Sequence, residues 1–226
     1  MAKSGPYRRC LETIESFAHK VAQVIWGGEI LDHGNHGGDL YNPNSQKFSE
    51  VKASGLSNGP IIEESQMLRN CESINHESYI FVCYCNRQEY KGKIRNMPVR
   101  IIRSHGVKGL LEFLSQNTTC VFVVPTPILY ALYLSEIRLG RIRTYNMKDR
   151  TKTYFRLRYP DLTALMEQKF EKFGLNPKHY SSSKENRVIT IDGRKITLEI
   201  GRVLISEDQK SDSFDVSDFE SVSHPA

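Results

Sequence analysis

A chain of 226 residues with 39% apolar side chains is long enough to bury a sizeable core, as one elaborated domain or a core with a smaller appendage. No apolar run approaches a membrane span and the N-terminus lacks a secretory h-region, so a cytoplasmic protein with no membrane partner is expected. The net charge of +5 hides an asymmetry: six acids against Lys210 give residues 207–226 a balance of −5, leaving about +10 on residues 1–206, which suits a polyanion binder.

The first predicted element is a helix over 7–25. Leu11, Ile14, Ala18, Val21, Ala22 and Ile25 fall at helical spacing. Glu12 projects away from that stripe and reads as solvated. Glu15 sits at its margin, about 70° from the centre at 100° per residue. From there it either looks along a sheet toward a metal or serves as an ordinary boundary glutamate. His19 shares the margin one turn later and reads as structural. A strand over 26–32 follows, then a glycine-rich loop whose His33 and His36 read as loop residues rather than ligands.

The run GGDLYNPNSQKFSEVKASG comes next. Asn42-Pro43-Asn44-Ser45 is dense in turn formers. Residues 47–52 alternate with period two, so Glu50 and Lys52 share one face and Val51 the other. Antiparallel pairing across the turn predicts Asp39 beside them. Gly37-Gly38 lets backbone approach closely. Two carboxylates at close range are poor neighbours unless a divalent cation screens them, and oxygen ligands suit Mg²⁺ or Mn²⁺. A lysine beside such a metal can orient an attacking water or stabilise a phosphorane-like charge. An acid-x-lysine pair alone is also common on solvated strand faces, so the context has to carry the functional reading.

Ile61 to Cys71 reads as a second helix opened by Pro60, with Glu63 and Glu64 in its first turn and Gln66 and Arg69 or Asn70 on one face. Residues 78–85 form a near-continuous apolar run, expected as a buried central strand. The five cysteines (Cys10, Cys71, Cys83, Cys85 and Cys120) show neither a paired framework nor a zinc spacing and read as reduced thiols.

Basic residues gather in two later segments. The first, 91–105, includes Arg100 and Arg103. The second, 138–158, includes Arg141, Arg143, Lys152, Arg156 and Arg158 with tyrosines interleaved. Alternation there puts Arg156 and Arg158 on one face and Phe155, Leu157 and Tyr159 on the other. One face packs while the other is open to phosphate or base edges. Helices are predicted over 106–116, 127–139 and 161–173, the last capped by Asp161, and a strand over 119–124. Residues 177–187 read as an exposed loop, and 188–200 as a hairpin around Asp192-Gly193. The Ser/Asp-rich residues 207–226 read as a flexible acidic tail.

The order helix with Glu15, strand, Asp39, Glu50-Val51-Lys52, helix with Gln66, strand 78–85 resembles the PD-(D/E)XK nuclease superfamily, over roughly residues 7–86. One departure is Gly38 where the motif has proline. The resemblance implies an α/β fold: a restriction endonuclease-like core with a central mixed β-sheet flanked by helices and an α+β C-terminal elaboration. On that reading 1–90 hold the catalytic half, 91–206 the rest of the core and a nucleic-acid recognition elaboration. It implies that Asp39 and Glu50 coordinate Mg²⁺ (or Mn²⁺), that the Val51 carbonyl adds a ligand, and that Lys52 supports the nucleophilic water. Glu15 matches an acidic residue of the first helix, and Gln66 the glutamine of the resolvase and RecB branches. The expected function is a metal-dependent endonuclease on duplex DNA, as a homodimeric type II restriction endonuclease. The alternatives are a structure-specific or repair nuclease, and a non-catalytic nucleic-acid-binding protein.

Overall fold

The computed structural model describes residues 6–31, 38–54, 59–84, 97–147 and 150–206; His33, His36, Cys85, the start of the first basic segment and the acidic tail lie outside them. Helix α1 (Pro6–Trp26) buries Cys10, Ile14, Phe17, Ala18, Val21, Ala22 and Ile25, whereas Leu11 stays 42% exposed. The inward stripe therefore runs through Cys10 and Phe17 rather than Leu11. Of the strand expected over 26–32, only Glu29–Ile30 (β1) is strand among the described residues; Trp26 still belongs to α1. The turn residues join β2 (Leu40–Asn42) to β3 (Lys47–Ser54) as an antiparallel pair, and the Asn42 side chain accepts from the Asn44 N–H at 3.0 Å.

The second predicted helix divides. Ile61–Glu63 form strand β4, and helix α2 covers only Glu64–Glu72. Two β-branched residues favour extended backbone, and a partner strand takes up their hydrogen bonds. Gly59 permits that docking, because a Cβ there would lie 1.9 Å from the Leu157 carbonyl oxygen. The apolar run is β5 (His76–Cys83), the middle strand of a seven-stranded sheet in the order β1-β2-β3-β5-β6-β10-β9. Its neighbours are β3, parallel, and β6 (Thr119–Pro125), antiparallel. The later half of the chain completes the sheet with β9 (Tyr180–Ile191) and β10 (Arg194–Ile205).

The fold is thus α/β, with a large mixed sheet and five α-helices among the described residues. Helix α3 (Met97–Gln116) breaks at Gly106, with φ at 65°, and takes in part of the first basic segment. Helix α4 covers Thr126–Arg138. Strands β7 (Arg143–Met147) and β8 (Arg150–Arg156) pair with β4 in a separate three-stranded sheet. Helix α5 (Tyr159–Met166) ends well before Phe173, and a 3-10 turn follows at Phe170–Phe173. Asp161 is no cap; it lies in the first turn of α5 and binds Arg158 and Lys172. The loop expected over 177–187 holds for 177–179, but from Tyr180 onward it is strand: β9 pairs with β10 through a two-residue Asp192-Gly193 turn with both φ positive. Its polar side chains belong to a solvent-facing edge strand, where alternation is blurred.

Two apolar clusters cover the two faces of the large sheet. One joins α1 and α3 to Val51, Ile80 and Val82. The other joins α2, α4, α5 and the small sheet to Tyr79, Phe81 and Phe122. Val51 faces the first cluster, so period-two alternation turns Glu50 and Lys52 toward the second. No helix among the described residues is long and apolar enough to cross a membrane.

Candidate functional site

The β2–β3 register pairs Leu40 with Ser49, which sets Asp39 opposite Glu50 one step further along. The Asp39 N–H donates to the Ser49 carbonyl at 3.0 Å. Gly38 is required beside it: a Cβ there would come within 2.9 Å of Phe48 Cβ and 3.1 Å of the Ser49 carbonyl oxygen. Glycine at position 38 is therefore explained by close approach of two strands.

The Asp39 carboxylate is held by backbone: its Oδ2 accepts the Val51 N–H at 2.8 Å. Glu50 is only 2% exposed. Its Oε1 accepts from the Lys52 ammonium and from Gln66 Nε2, the latter at 2.8 Å. Burial raises the Glu50 carboxyl above its usual range; Lys52 opposes that shift, and the negative charge of Asp39 adds to it. The two carboxylates thus act on each other through space, as the sequence reading required. Lys52 itself keeps 23% of its side chain exposed, so the ammonium lies at the mouth of the site.

Gln66 reaches Glu50 because α2 lies across the same face of the sheet. Asn70, one turn on, points the same way and donates to the Tyr79 hydroxyl at 2.7 Å, whereas Arg69 is exposed. Glu15 is half-buried on α1, and no hydrogen bond ties it to Asp39, Glu50 or Lys52 among the described residues. His19 is the α1 side chain that arrives: it is 5% exposed with Nε2 at 3.8 Å from Asp39 Oδ2. Its position one turn after Glu15, on the same margin, was the available signal. His76 lies behind the site, with Nδ1 at 2.9 Å from Thr126 Oγ1. Burial, then the charge of Lys52, push its imidazole down to about 4, so it stays neutral at physiological pH.

Among the described residues no group of three or more His, Cys, Asp and Glu side chains converges as a metal cluster. The donor set is two carboxylates. Asp39 Oδ1 and Glu50 Oε2 carry no hydrogen bond from the described residues. Two carboxylates fit a magnesium-type ion, which fills its remaining positions with water and substrate oxygens.

The second basic segment builds a different structure. In β8, Phe155 is buried against the core while Tyr154 and Arg156 face outward. Register places Arg156 opposite Ile61, and Arg143 opposite Tyr154. Here lies a cavity of about 430 Å³ whose walls include Arg141, Arg143, Arg156 and Arg158 with Tyr154 and Glu136. Glu136, 5% exposed, is ion-paired to Arg141 and lies 3.9 Å from Arg158. Burial pushes its carboxyl up to about 7; Arg158 counters, Asp161 adds and Lys172 counters. Lys152 is spoken for by Glu63 at 2.6 Å and Arg158 by Asp161 at 3.1 Å. Lys152 holds the Glu63 carboxyl below its usual range. Arg100 and Arg103 are exposed on α3, which packs on α1 and β10 across the sheet from this cavity. Arg100 and Arg103 therefore do not share a surface with Arg143 and Arg156.

No family model, curated protein or solved structure matches this chain. The functional reading rests on the side chains themselves.

Proposed function

We propose that the protein is a divalent-metal-dependent DNA endonuclease of restriction endonuclease-like architecture. The observation that carries this reading is the convergence of Asp39, Glu50, Lys52 and Gln66 at the middle of β3. A solvated acid-x-lysine face does not bury its glutamate, aim a second carboxylate at it and anchor it from a separate helix. Asp39 and Glu50 hold Mg²⁺ or Mn²⁺, with the Val51 carbonyl as a further ligand. The ion supplies Lewis-acid polarisation of the phosphate and a more acidic bound water.

The protein groups divide the remaining work. The Val51 N–H fixes the Asp39 carboxylate, and Gln66 fixes that of Glu50, so neither must reorganise when substrate arrives. Lys52 offsets the charge of Glu50, orients the attacking water and stabilises the negative charge that grows on the phosphoryl oxygens. Neutral His76 adds no second positive charge behind it. Duplex DNA lies on the α2 face, to which Glu50 and Lys52 turn.

A type II restriction endonuclease acting as a homodimer is the first reading of the substrate class. The bond from Gln66 to Glu50 favours a second, a structure-specific or repair nuclease of the resolvase and RecB type. Incubation of supercoiled plasmid with Mg²⁺ or EDTA, followed by mapping of the ends, tests both. Magnesium-dependent cuts at one sequence support the first, and cleavage confined to branched or flapped DNA supports the second. Persistent magnesium-dependent cleavage by Asp39→Ala or Lys52→Ala refutes the site.

A further inference from the structure

The cavity beside the small sheet lies apart from the carboxylate centre and has its own chemistry. Four guanidinium groups and one carboxylate contribute to its walls. Glu136 engages Arg141 and Arg158, and Asp161 engages Arg158 as well. Arg143 and Arg156 have no acidic partner among the described residues, and Nη1 of Arg156 is buried without a hydrogen-bond acceptor. Two arginines in a cavity wall with no acidic partner leave positive charge for an anionic acceptor in the cavity to neutralise.

The missing acceptor has a definable charge. Two uncompensated guanidinium groups match a phosphate monoester, which carries about −1.5 to −2 at pH 7, better than a singly charged diester. Guanidinium also binds phosphate oxygens in bidentate fashion. A volume of about 430 Å³ is in the range of small-ligand sites and exceeds the needs of an inorganic ion. The Tyr154 ring in the same wall offers a base a surface to stack on.

We infer that this cavity binds a nucleotide by its terminal phosphate, with Arg143 and Arg156 on the phosphate and Tyr154 against the base. The nucleotide is either a free 5′-mononucleotide or the 5′-phosphorylated end of a strand. The second source rests on the nuclease reading. Ile61 in the cavity wall and Gln66 at Glu50 are five residues apart, at most about 18 Å even if fully extended. A strand rising about 3.4 Å per nucleotide spans that distance in about five steps. The cavity would then measure the cut from a strand end.

Calorimetric titration of the full chain with adenosine 5′-monophosphate, in the absence of metal, is the test. Binding at least tenfold tighter than that of adenosine is expected, with a loss of at least tenfold in Arg143→Ala and in Arg156→Ala. Arg143 is exposed, so its replacement leaves folding intact even if that of Arg156 does not. Equal binding of the nucleotide and the nucleoside, or an unchanged affinity in Arg143→Ala, overturns the inference. Oligonucleotides with a 5′-phosphate or a 5′-hydroxyl separate the two sources. A preference for the phosphate assigns the strand end, and equal affinity alongside retained mononucleotide binding assigns the free nucleotide. Asp39→Ala retains mononucleotide affinity. If the wild type binds the mononucleotide but cuts no DNA with Mg²⁺, the nuclease reading fails and this site stands; cleavage without nucleotide binding is the reverse.

Discussion

Glu50 and Glu136 are both almost fully buried glutamates whose carboxyls burial pushes upward, yet their surroundings ask for opposite ligands. Glu50 has one lysine, a neutral glutamine and a second carboxylate within electrostatic reach. Negative charge is left over, which on the proposed reading a cation would complete. Glu136 is surrounded by arginines, and positive charge is left over on Arg143 and Arg156, which an anion completes. Burial alone therefore says little about what a carboxylate does. The balance of fixed charge within one contact shell decides it.

The largest effect expected from breaking this contrast is at the cation side. Lys52→Ala or Asp39→Ala should lower magnesium-dependent cleavage by about 10³-fold, the scale for removal of a charge-stabilising group, measured on plasmid DNA. Glu50→Gln should abolish cleavage as completely while leaving the melting temperature equal or higher at neutral pH. A carboxyl held above its unfolded value contributes stability at low pH that is lost as pH rises through the folded value. Gln66→Ala should cost roughly 10- to 100-fold in activity or metal affinity, as for groups that orient a ligand. A similar loss in Gln66→Glu would indicate that the amide N–H, not merely its bulk, matters.

At the anion side the expected signature is in stability. Glu136 has an ordinary value of 4.5 and a folded value of about 7. Its contribution is fully present below 4.5 and is lost as pH rises through 7. The melting temperature of the wild type relative to Glu136→Gln should therefore fall across that window, and a constant difference would refute the assignment. The smallest effect is expected for Arg100→Ala combined with Arg103→Ala. These residues lie on the far layer, so DNA affinity should change by less than about twofold at fixed salt, whereas a lost phosphate contact weakens binding more.

Local pattern made much of the carboxylate cluster legible. The turn formers at 42–45 and the alternation through 47–52 are enough to face Glu50 and Lys52 together, and the Asp39 pairing follows from hairpin register. Helical spacing placed Gln66 on one face with Arg69 or Asn70, and the structure, whose helix begins at Glu64 rather than Ile61, selects Asn70. His19 was legible only as a position on a margin; its approach to Asp39 depends on how α1 lies over the sheet. The reading of 177–187 as a loop failed because an edge strand facing solvent loses the apolar alternation that marks strands.

The sequence by itself determined that Glu50 and Lys52 share a strand face, because strand faces repeat every two residues. It also determined that Asp39, Glu50 and Lys52 meet, since a short turn leaves little freedom of register. Only the tertiary structure decided that Lys152 and Arg158 are consumed by Glu63 and Asp161. It alone set Arg100 and Arg103 across the sheet from Arg143 and Arg156, and left those two in a cavity wall with no acidic partner among the described residues. Charge neutralisation depends on neighbours far along the chain, and no periodicity within one element encodes which acid a given arginine will find.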